Sequence, residues 1–278
     1  MTDLHCHLLP GIDDGAKDVD MALELLRQER NQGVTNIVFT SHFRPDHISL
    51  HDFLKLRNQA FLKLMKAVEA EGSFDISYKL GAEVYFTPTL AEMDLDSLCF
   101  TRSRYLLVEF SFNREPAFVD EVLFDLQTRG IVPIIAHVER YKWLYGQPET
   151  LYRWAESGIL LQSNSGPLLE GGEEADYIRR LIDWNMVKLL SSDAHHPERR
   201  PANLGSGLMY VSQEMGKERA RELLQNGNAC SAANPSSTSR PSIRKSGLAA
   251  GSDYPDLHHT NERLHSHPWQ NRRKSQLL

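Results

Sequence analysis

Short apolar runs alternate with longer amphipathic stretches along most of the chain. Seven runs have the length and composition of buried strands, at residues 2–7, 35–42, 78–86, 105–110, 131–137, 158–164 and 187–195. Five stretches have apolar residues at helical spacing, at residues 18–33, 52–72, 116–130, 148–158 and 173–185. Apolar strands that alternate with helices predict a parallel sheet covered by helices. Seven such strands favour a closed or nearly closed β/α barrel, with an open doubly wound sheet as the alternative.

The alternating pattern ends near residue 230. Residues 231–278 are rich in Ser, Pro, Gly and Arg and have no apolar periodicity. This composition predicts a disordered tail that follows a folded domain at residues 1–230. His265 and His267 in the tail form a His-x-His pair, but no predicted strand surrounds them, so we expect no specific metal site there.

Composition and charge narrow the function classes. Hydrophobic residues make up 41% and charged residues 24% of the 278-residue chain, which is enough for an ordinary soluble core. The net charge is −6, and residues 231–278 carry +4, so residues 1–230 carry −10. An acidic body argues against nucleic-acid binding and is compatible with bound divalent cations.

Cysteine spacing and hydropathy indicate the compartment. Cys6, Cys99 and Cys230 lie far apart with no CxxC pair, which argues against a disulfide framework and against a structural zinc site. No apolar run is long enough to span a membrane, and the first residues lack the pattern of a signal peptide. We therefore expect a cytoplasmic protein without membrane insertion.

The opening motif "DLHCHLLPGIDDG" offers two kinds of chemistry. The phosphate loop of a cysteine phosphatase needs an arginine six residues after its cysteine, to bind phosphate with a bidentate fork. Ile12 stands at that position relative to Cys6, so this loop is excluded. In a strand, His5 and His7 would share one face and Cys6 would point to the other. A His-x-His pair on a strand is a natural metal clamp.

Polar residues recur where the predicted strands end. They are His5, His7, His42, Glu83, Glu109, His137, Asn164, Asp193 and His195. A parallel β/α barrel builds its active site at the carboxyl ends of its strands, so these side chains should converge. The donors are His, Asp and Glu without a convergent thiolate, which favours Mn, Fe or Zn.

So many donors exceed the needs of one ion. Glu83 or Glu109 could bridge two cations, so a cluster of two or three divalent ions is predicted. Clustered metals stabilise both the attacking and the leaving oxygen in hydrolysis, and a phosphate ester is the natural substrate.

Five motifs together resemble a known family. They are "DLHCHLLPGIDDGA", "TSHF", "GAEVYF", "AHVERY" and "SSDAHHPERRP". They resemble the polymerase and histidinol phosphatase (PHP) superfamily, and most of all its bacterial manganese-dependent tyrosine-protein phosphatase branch of the CpsB/CapC type. The resemblance covers roughly residues 1–230. It implies an α/β fold, namely a distorted seven-stranded TIM-like barrel (the PHP fold), with Mn²⁺ as the expected metal.

The resemblance also implies roles for individual residues. One metal would be held by His5, His7, Glu83 and Asp193, a second by Glu83, Glu109 and His137, and a third by Asp14, His42 and His195. Arg140 and Arg200 would bind the phosphate, which suits the geometry and permanent charge of arginine. Asp14 is expected to be catalytic as well as a ligand. Asp13 could equally form the turn in "PGIDDG", and only the resemblance favours Asp14 over it.

The leading hypothesis is hydrolysis of phosphotyrosine on a protein, with a bacterial tyrosine kinase that regulates capsule or exopolysaccharide synthesis as the expected partner. A metal-bridged hydroxide would attack phosphorus directly, without a phosphocysteine intermediate. One alternative is a small-molecule phosphatase of the histidinol-phosphate type. A PHP phosphodiesterase is a second alternative, against which the acidic body argues. A non-enzymatic barrel should lack ligands, and none is lacking here.

Overall fold

The computed structural model describes residues 1–72 and 74–232. The strands of this part of the chain are β1 (Thr2–Cys6), β2 (Asn36–Phe39), β3 (His42–Phe43), β4 (Ser77–Leu80), β5 (Glu83–Tyr85), β6 (Tyr105–Glu109), β7 (Val132–Ile135), β8 (Leu160–Asn164) and β9 (Val187–Ser191). The helices are α1 (Val19–Asn31), α2 (Leu50–Ala70), α3 (Val119–Thr128), α4 (Pro148–Ser157), α5 (Ser165–Glu170), α6 (Glu173–Asp183), α7 (Leu204–Glu214) and α8 (Lys217–Ala232).

The strands pair in parallel throughout two sheets. One sheet has the order β1-β2-β4, and the other has the order β3-β5-β6-β7-β8-β9. Apolar side chains of the strands and of the helix faces towards them, such as Leu25, Val108 and Leu181, form the buried core. The predicted α/β fold with parallel strands and covering helices is therefore confirmed.

Two of the seven predicted strands are each broken into two in the structure. The predicted strand 35–42 gives β2 and β3, and the predicted strand 78–86 gives β4 and β5. The pieces belong to different sheets, because β2 pairs with β4 and β3 pairs with β5. An unbroken apolar pattern had predicted one continuous strand in each case, so this part of the prediction is wrong.

The breaks follow from local backbone contacts. The amide of Glu83 lies 3.1 Å from the carbonyl oxygens of both Thr40 and Ser41, which interrupts the regular ladder. Gly81 lies at the other break, where a Cβ would come within 2.7 Å of the Phe100 ring. After the breaks, β3 and β5 resume with His42 and Glu83 directly opposite each other.

Contacts between β1 and β9 join the two sheets at their carboxyl ends. Cys6 forms a parallel bridge with Ala194. The Asp193 amide donates to the His5 carbonyl at 2.8 Å, and the His7 amide donates to the Ala194 carbonyl at 2.9 Å. The candidate ligands of the first and last strands are thereby brought side by side.

The residues just before the helices, rather than the apolar periodicity, determine where α2 and α3 begin. Ser49 caps α2 by accepting from the Asp52 amide at 3.1 Å, so this helix begins before the predicted residue 52. Helix α3 begins at Val119, inside the predicted 116–130, because Phe118 has a positive φ of 61°. Helices α5 and α7 were not predicted, since their sequences "SGPLLE" and "LGSGLMYVSQE" contain glycine or proline.

Helix α8 closes the described part of the chain, and it was not among the predicted helices. The predicted disordered tail, including His265 and His267, lies almost entirely outside the described residues. Among the helices that the structure describes, none is long and apolar enough to cross a membrane.

Candidate metal centre

The carboxyl end of β1 carries two imidazoles that face the same carboxylates. His5 Nε2 lies 3.3 Å from both Glu83 Oε1 and Asp193 Oδ1. His7 Nε2 lies 3.2 Å from Glu83 Oε2 and 3.2 Å from His5 Nε2. Cys6 is fully buried, and its thiol donates to a backbone carbonyl of β2 at 3.5 Å. The two histidines share a face and the thiol packs on the other, as strand alternation predicts.

Glu83 is approached from two further strands. His42 Nδ1 lies 3.0 Å from Glu83 Oε2, and His137 Nε2 lies 2.8 Å from Glu83 Oε1. Glu109 lies beside them, with Oε2 3.7 Å from His42 Nδ1 and Oε1 3.6 Å from His137 Nε2. Glu83 is therefore the central carboxylate, within ion-pair distance of four imidazoles.

The adjacent aspartates after β1 have different contacts. Asp14 Oδ1 lies 3.3 Å from His42 Nε2 and 3.5 Å from His195 Nε2. Asp13 Oδ2 lies 2.9 Å from His7 Nδ1 and accepts from the His42 amide at 3.0 Å. Asp14 thus shares space with two candidate ligands, whereas Asp13 orients His7 from behind. The sequence alone had left these two aspartates unresolved.

Four groups of side chains could each hold a metal ion, because the donor atoms within each group lie within 4.8 Å of one another. They are His7, Asp14, His42 and His195; His5, His137 and Asp193; His5, His7 and Glu83; and His42, Glu83 and Glu109. Together they contain every side chain that the sequence indicated as a ligand. Imidazole and carboxylate donors of this kind suit Mn, Fe or Zn.

The donor set also has unsatisfied acceptors that a cation would satisfy. Glu83 Oε2, Asp193 Oδ1 and His195 Nε2 are buried and make no hydrogen bond of good geometry within the described residues, although imidazole or carboxylate atoms lie 3.0–3.6 Å from each of them. Buried polar atoms are ordinarily paired, because leaving one unpaired costs about 1–3 kcal/mol. The arrangement therefore fits a divalent cation better than a network of hydrogen bonds.

The electrostatics of the centre agree with this. Burial alone would lower the pKa of His7, but the Asp13 carboxylate and the contact with Glu83 together outweigh it and raise that pKa to about 9. The pKa of His137 is likewise raised to about 10, because Glu109 and Glu83 outweigh its burial. The pKa of Asp193 is lowered despite burial, chiefly by His5 and Arg200. Metal binding would displace the imidazole protons, since ligation requires neutral imidazole.

Two candidate ligands have unusual backbone conformations. His137 has a φ of 29° and Asp193 has a φ of 53°, a region that residues other than glycine rarely adopt. The His137 amide donates to Gln162 Oε1 at 2.8 Å, and the Asp193 amide donates to the His5 carbonyl at 2.8 Å. Such strain persists where the surroundings fix it, and it clusters at functional sites.

Arg140 and Arg200, the predicted phosphate-binding arginines, both lie beside the Asp193 carboxylate. An Nη atom of Arg200 donates to Asp193 Oδ2, and Arg140 Nη1 lies 3.7 Å from the same oxygen. Asn164, which the sequence placed at the end of the sixth strand, donates to that oxygen at 2.8 Å. Both arginine side chains remain 35% exposed, which leaves them open to a ligand in the mouth of the site.

Some residues that support the centre were not singled out from the sequence. Gln162 Oε1 lies 3.1 Å from His5 Nδ1 and also receives the His137 amide. Because Gln162 precedes Asn164 by two residues on β8, strand alternation could have identified it. Glu139 is buried and accepts from the Asn164 amide at 3.1 Å, and burial raises its pKa to about 7.

A buried acidic pair lies behind β1. Asp3 accepts from the amides of His5 and Ser192, at 3.1 Å in each case. Ser192 Oγ donates to Glu29 Oε1 at 3.4 Å. Burial, followed by the Asp3 carboxyl, raises the pKa of Glu29 well above its ordinary value. These contacts fix the ends of β1 and β9 relative to each other.

An exposed aromatic ring borders the arginines. Phe112, in the segment after β6, is 37% exposed, and its ring lies 4.9 Å from the Arg140 guanidinium carbon. It meets the His137 ring edge-on at a centroid distance of 5.6 Å. Hydrophobic patterning did not indicate Phe112, because it lies in an irregular segment. The mouth of the site therefore combines cations with one apolar face.

Several known proteins are similar to this chain. Tyrosine-protein phosphatase YwqE of Bacillus subtilis is 30% identical over 233 residues, which is 81% of this chain and 89% of YwqE. The putative tyrosine-protein phosphatase CapC of Staphylococcus aureus is 33% identical over 209 residues, which is 72% of this chain and 79% of CapC.

The structural comparison agrees. A chain from the crystal structures of YwqE of Bacillus subtilis and CpsB of Streptococcus pneumoniae, described as metal-dependent tyrosine phosphatases, matches with a TM-score of 0.75 and 27% identity. The match covers 83% of this chain and 94% of the other. A family profile for capsular polysaccharide synthesis proteins of the CpsB/CapC type matches residues 1–231. The chain therefore belongs to the CpsB/CapC family.

Proposed function

We propose that this protein is a metal-dependent tyrosine-protein phosphatase. The observation that carries the proposal is the convergence of the His, Asp and Glu donors around Glu83, with Arg140 and Arg200 at its edge. The similar proteins YwqE and CpsB are named as tyrosine-protein phosphatases.

We propose that the centre holds two or three divalent cations, with Mn²⁺ as the native metal. His5, His7, Glu83 and Asp193 would hold one ion; Glu83, Glu109 and His137 a second; and Asp14, His42 and His195 a third. The short distances from Glu83 to His7 and to His137 support a place for Glu83 in both of the first two sets. When bound, such cations supply an activated water and neutralise charge that develops on the phosphoryl oxygens.

The protein's own side chains would bind and orient the substrate. Arg200 is fixed by its contact with Asp193, and Arg140 packs on the Phe112 ring. Their free N–H donors would bind the phosphoryl oxygens and stabilise the charge of the transition state. The exposed face of Phe112 would contact the aromatic ring of phosphotyrosine. Cys6 takes no part, since its thiol is buried and burial raises its pKa well above the ordinary value.

We further propose that the two sheets are parts of one distorted seven-stranded barrel. β2 and β3 follow each other after only two intervening residues, as do β4 and β5, so each pair can count as one bent strand. The bridge between Cys6 and Ala194 supports closure between the first and last strands. The folded domain would span residues 1–230, with residues 231–278 as an appended segment.

We propose a cytoplasmic location and a tyrosine-phosphorylated protein, namely a bacterial tyrosine kinase of a capsule or exopolysaccharide locus, as the partner. The cysteines of the described residues are free and buried, which suits a reducing compartment. The family's link to capsular polysaccharide synthesis supports the partner.

A substrate panel on metal-stripped and reconstituted protein tests the proposed function. We expect Mn²⁺ to restore hydrolysis of phosphotyrosine peptides, with far lower rates on phosphoserine peptides, histidinol phosphate and a phosphodiester. His137→Ala should abolish the restored activity, and His47→Ala should not, because His47 is an exposed histidine paired only with Asp46 among the described residues. Faster turnover of histidinol phosphate than of any phosphotyrosine peptide would contradict the proposal.

A further inference from the structure

A second arginine–aromatic pair lies at the mouth of the centre. It belongs to β3 and β5, at one edge of the six-stranded sheet, whereas Asp193 follows β9 at the other edge. Arg44 follows β3 directly, and its guanidinium carbon lies 4.2 Å from the centroid of the Tyr85 ring. Tyr85 is the last residue of β5 and stands two residues after Glu83. This pair was not indicated by the sequence, and the mechanism above does not use it.

Strand geometry places the pair above the ligands. Because side chains alternate along a strand, Tyr85 lies on the same face as Glu83. Two residues of a strand advance by about 7 Å, so Tyr85 stands about that far beyond Glu83 towards the carboxyl end. A phosphotyrosine whose phosphate reaches Glu83 would carry its own backbone to roughly this level. The pair is thus placed to contact residues beside the phosphotyrosine rather than the phosphate.

Arg44 has a charge without a partner. Within residues 1–72 and 74–232, no carboxylate lies within ion-pair distance of its guanidinium group, and its Nε is buried without a hydrogen bond. The Nε of Arg57 is also buried without a hydrogen bond, but the Arg57 guanidinium group donates through Nη1 to the carbonyls of Gly81 and Ser97. Stacking on Tyr85 fixes the plane of the Arg44 guanidinium through a cation–π contact. An oriented and unpaired guanidinium fork matches a carboxylate.

We propose that Arg44, held by Tyr85, binds an acidic side chain next to the phosphotyrosine of the protein substrate. The inference rests on the proposed phosphatase function and adds a preference in sequence to it. Because residues 1–230 carry a net charge of −10, acidic peptides are repelled by most of the surface. A single cation above the centre would select the acidic peptides that place a carboxylate next to it.

The test compares matched phosphotyrosine peptides that carry Glu, Gln or Lys on both sides of the phosphotyrosine, with p-nitrophenyl phosphate as a substrate without flanks. The wild type should prefer the Glu peptide to the Gln peptide by roughly fivefold in kcat/KM, as a partly exposed ion pair supports. Arg44→Gln should bring this ratio to about one. Arg44→Glu should reverse the order, so that the Lys peptide becomes the best substrate.

Matched variants control for the loss of an arginine–aromatic contact elsewhere and for misfolding. Arg30→Gln removes another arginine that lies over an aromatic ring, that of Phe74, and it should keep the wild-type preference. Tyr85→Leu should weaken the preference, because the guanidinium plane is no longer held, and Tyr85→Phe should retain it. Circular dichroism melting establishes that each variant is folded.

The outcomes separate the two proposals. If Arg44→Gln lowers kcat/KM for p-nitrophenyl phosphate as much as for the Glu peptide, Arg44 binds the phosphoryl group and the inference is wrong. An unchanged Glu-to-Gln ratio in Arg44→Gln and Arg44→Glu also overturns it, while the phosphatase function stands. A wild type that hydrolyses no phosphotyrosine substrate would instead overturn the proposed function itself.

Discussion

The candidate metal centre has a buried half and an exposed half. His5, His7, Glu83 and Asp193 are at most 2% exposed, whereas the Asp14 side chain is 67% exposed. Each buried side chain except Glu83 has a further partner outside the donor set, through Gln162, Asp13 or Asn164. Asp14 has contacts only with His42 and His195 among the described residues.

The buried ligands and the exposed ligand therefore have different tasks: the first keep the donor atoms in place, and the second controls the entry of an ion or a substrate. Ligands that are fixed by second hydrogen bonds keep their geometry without a metal, which favours tight binding. An exposed carboxylate on a turn can move to admit an ion or a substrate. We therefore expect the buried half to set metal affinity and the exposed half to influence exchange, and the following variants are chosen to break that division.

The largest effect should come from Glu83→Ala. Glu83 lies within ion-pair distance of four imidazoles, so its loss removes the carboxylate common to two donor groups. We expect metal content to fall and kcat/KM on a phosphotyrosine peptide to drop by at least ~10³, more than removal of one charge donor costs. Elemental analysis beside steady-state kinetics measures both. Full metal content in this variant would place the cations elsewhere.

Arg200→Ala and Arg140→Ala should separate catalysis from metal binding. Arginine cannot ligate a cation, so both variants should keep their metals and lose ~10²–10³ in turnover. The loss of turnover should be larger for Arg200→Ala. Arg200 is held in place because it donates to Asp193 Oδ2, whereas Arg140 lies 3.7 Å from that oxygen. If both variants show wild-type kinetics with full metal content, the phosphate is bound by other groups.

Most of the ligands were predictable because they lie at or just beyond the carboxyl ends of strands, although His42 and Glu83 begin β3 and β5 after the breaks. Alternation and position then determine which way they face. The two aspartates were not separable in this way, since Asp13 and Asp14 lie in a turn where no alternation applies. Phe112 and Arg44 lie in irregular segments, whose course depends on tertiary contacts rather than on local pattern. The breaks within predicted strands 35–42 and 78–86 arise from contacts between them, which one sequence does not encode locally.

Asp13→Asn tests the supporting contacts of the buried half. Asn keeps the size of Asp13 but removes the charge beside His7 Nδ1, so His7 should lose its orientation and basicity. We expect metal affinity to fall ~10–100-fold, with activity recovered at high Mn²⁺ concentration. Asp46→Asn is a matched control, because Asp46 pairs with the exposed His47. An Asp13→Asn variant with wild-type affinity would show that Asp13 only forms the turn.

Cys6→Ala should have a small effect although Cys6 stands between two candidate ligands. Its side chain packs on the opposite face and is fully buried, so alkylating reagents should not reach it in the native protein. We expect kcat/KM within about threefold of wild type and a loss of stability of about 1 kcal/mol from the small cavity. A fall of three orders of magnitude with metal content intact would make Cys6 the nucleophile after all.

The smallest effect should come from deleting residues 235–278. Their composition predicts no capacity to bury apolar surface, so we expect melting temperature and peptide hydrolysis to stay near wild type. A cut after Gly216 is the informative contrast, because α8 buries Leu223 and Cys230, and Asn228 accepts from Thr2 Oγ1 at 3.0 Å. That truncation exposes the outer side of β1 and should destabilise the strand that carries His5 and His7. If the shorter deletion also lowers the melting temperature markedly, the tail binds to the folded domain and the boundary near residue 230 is wrong.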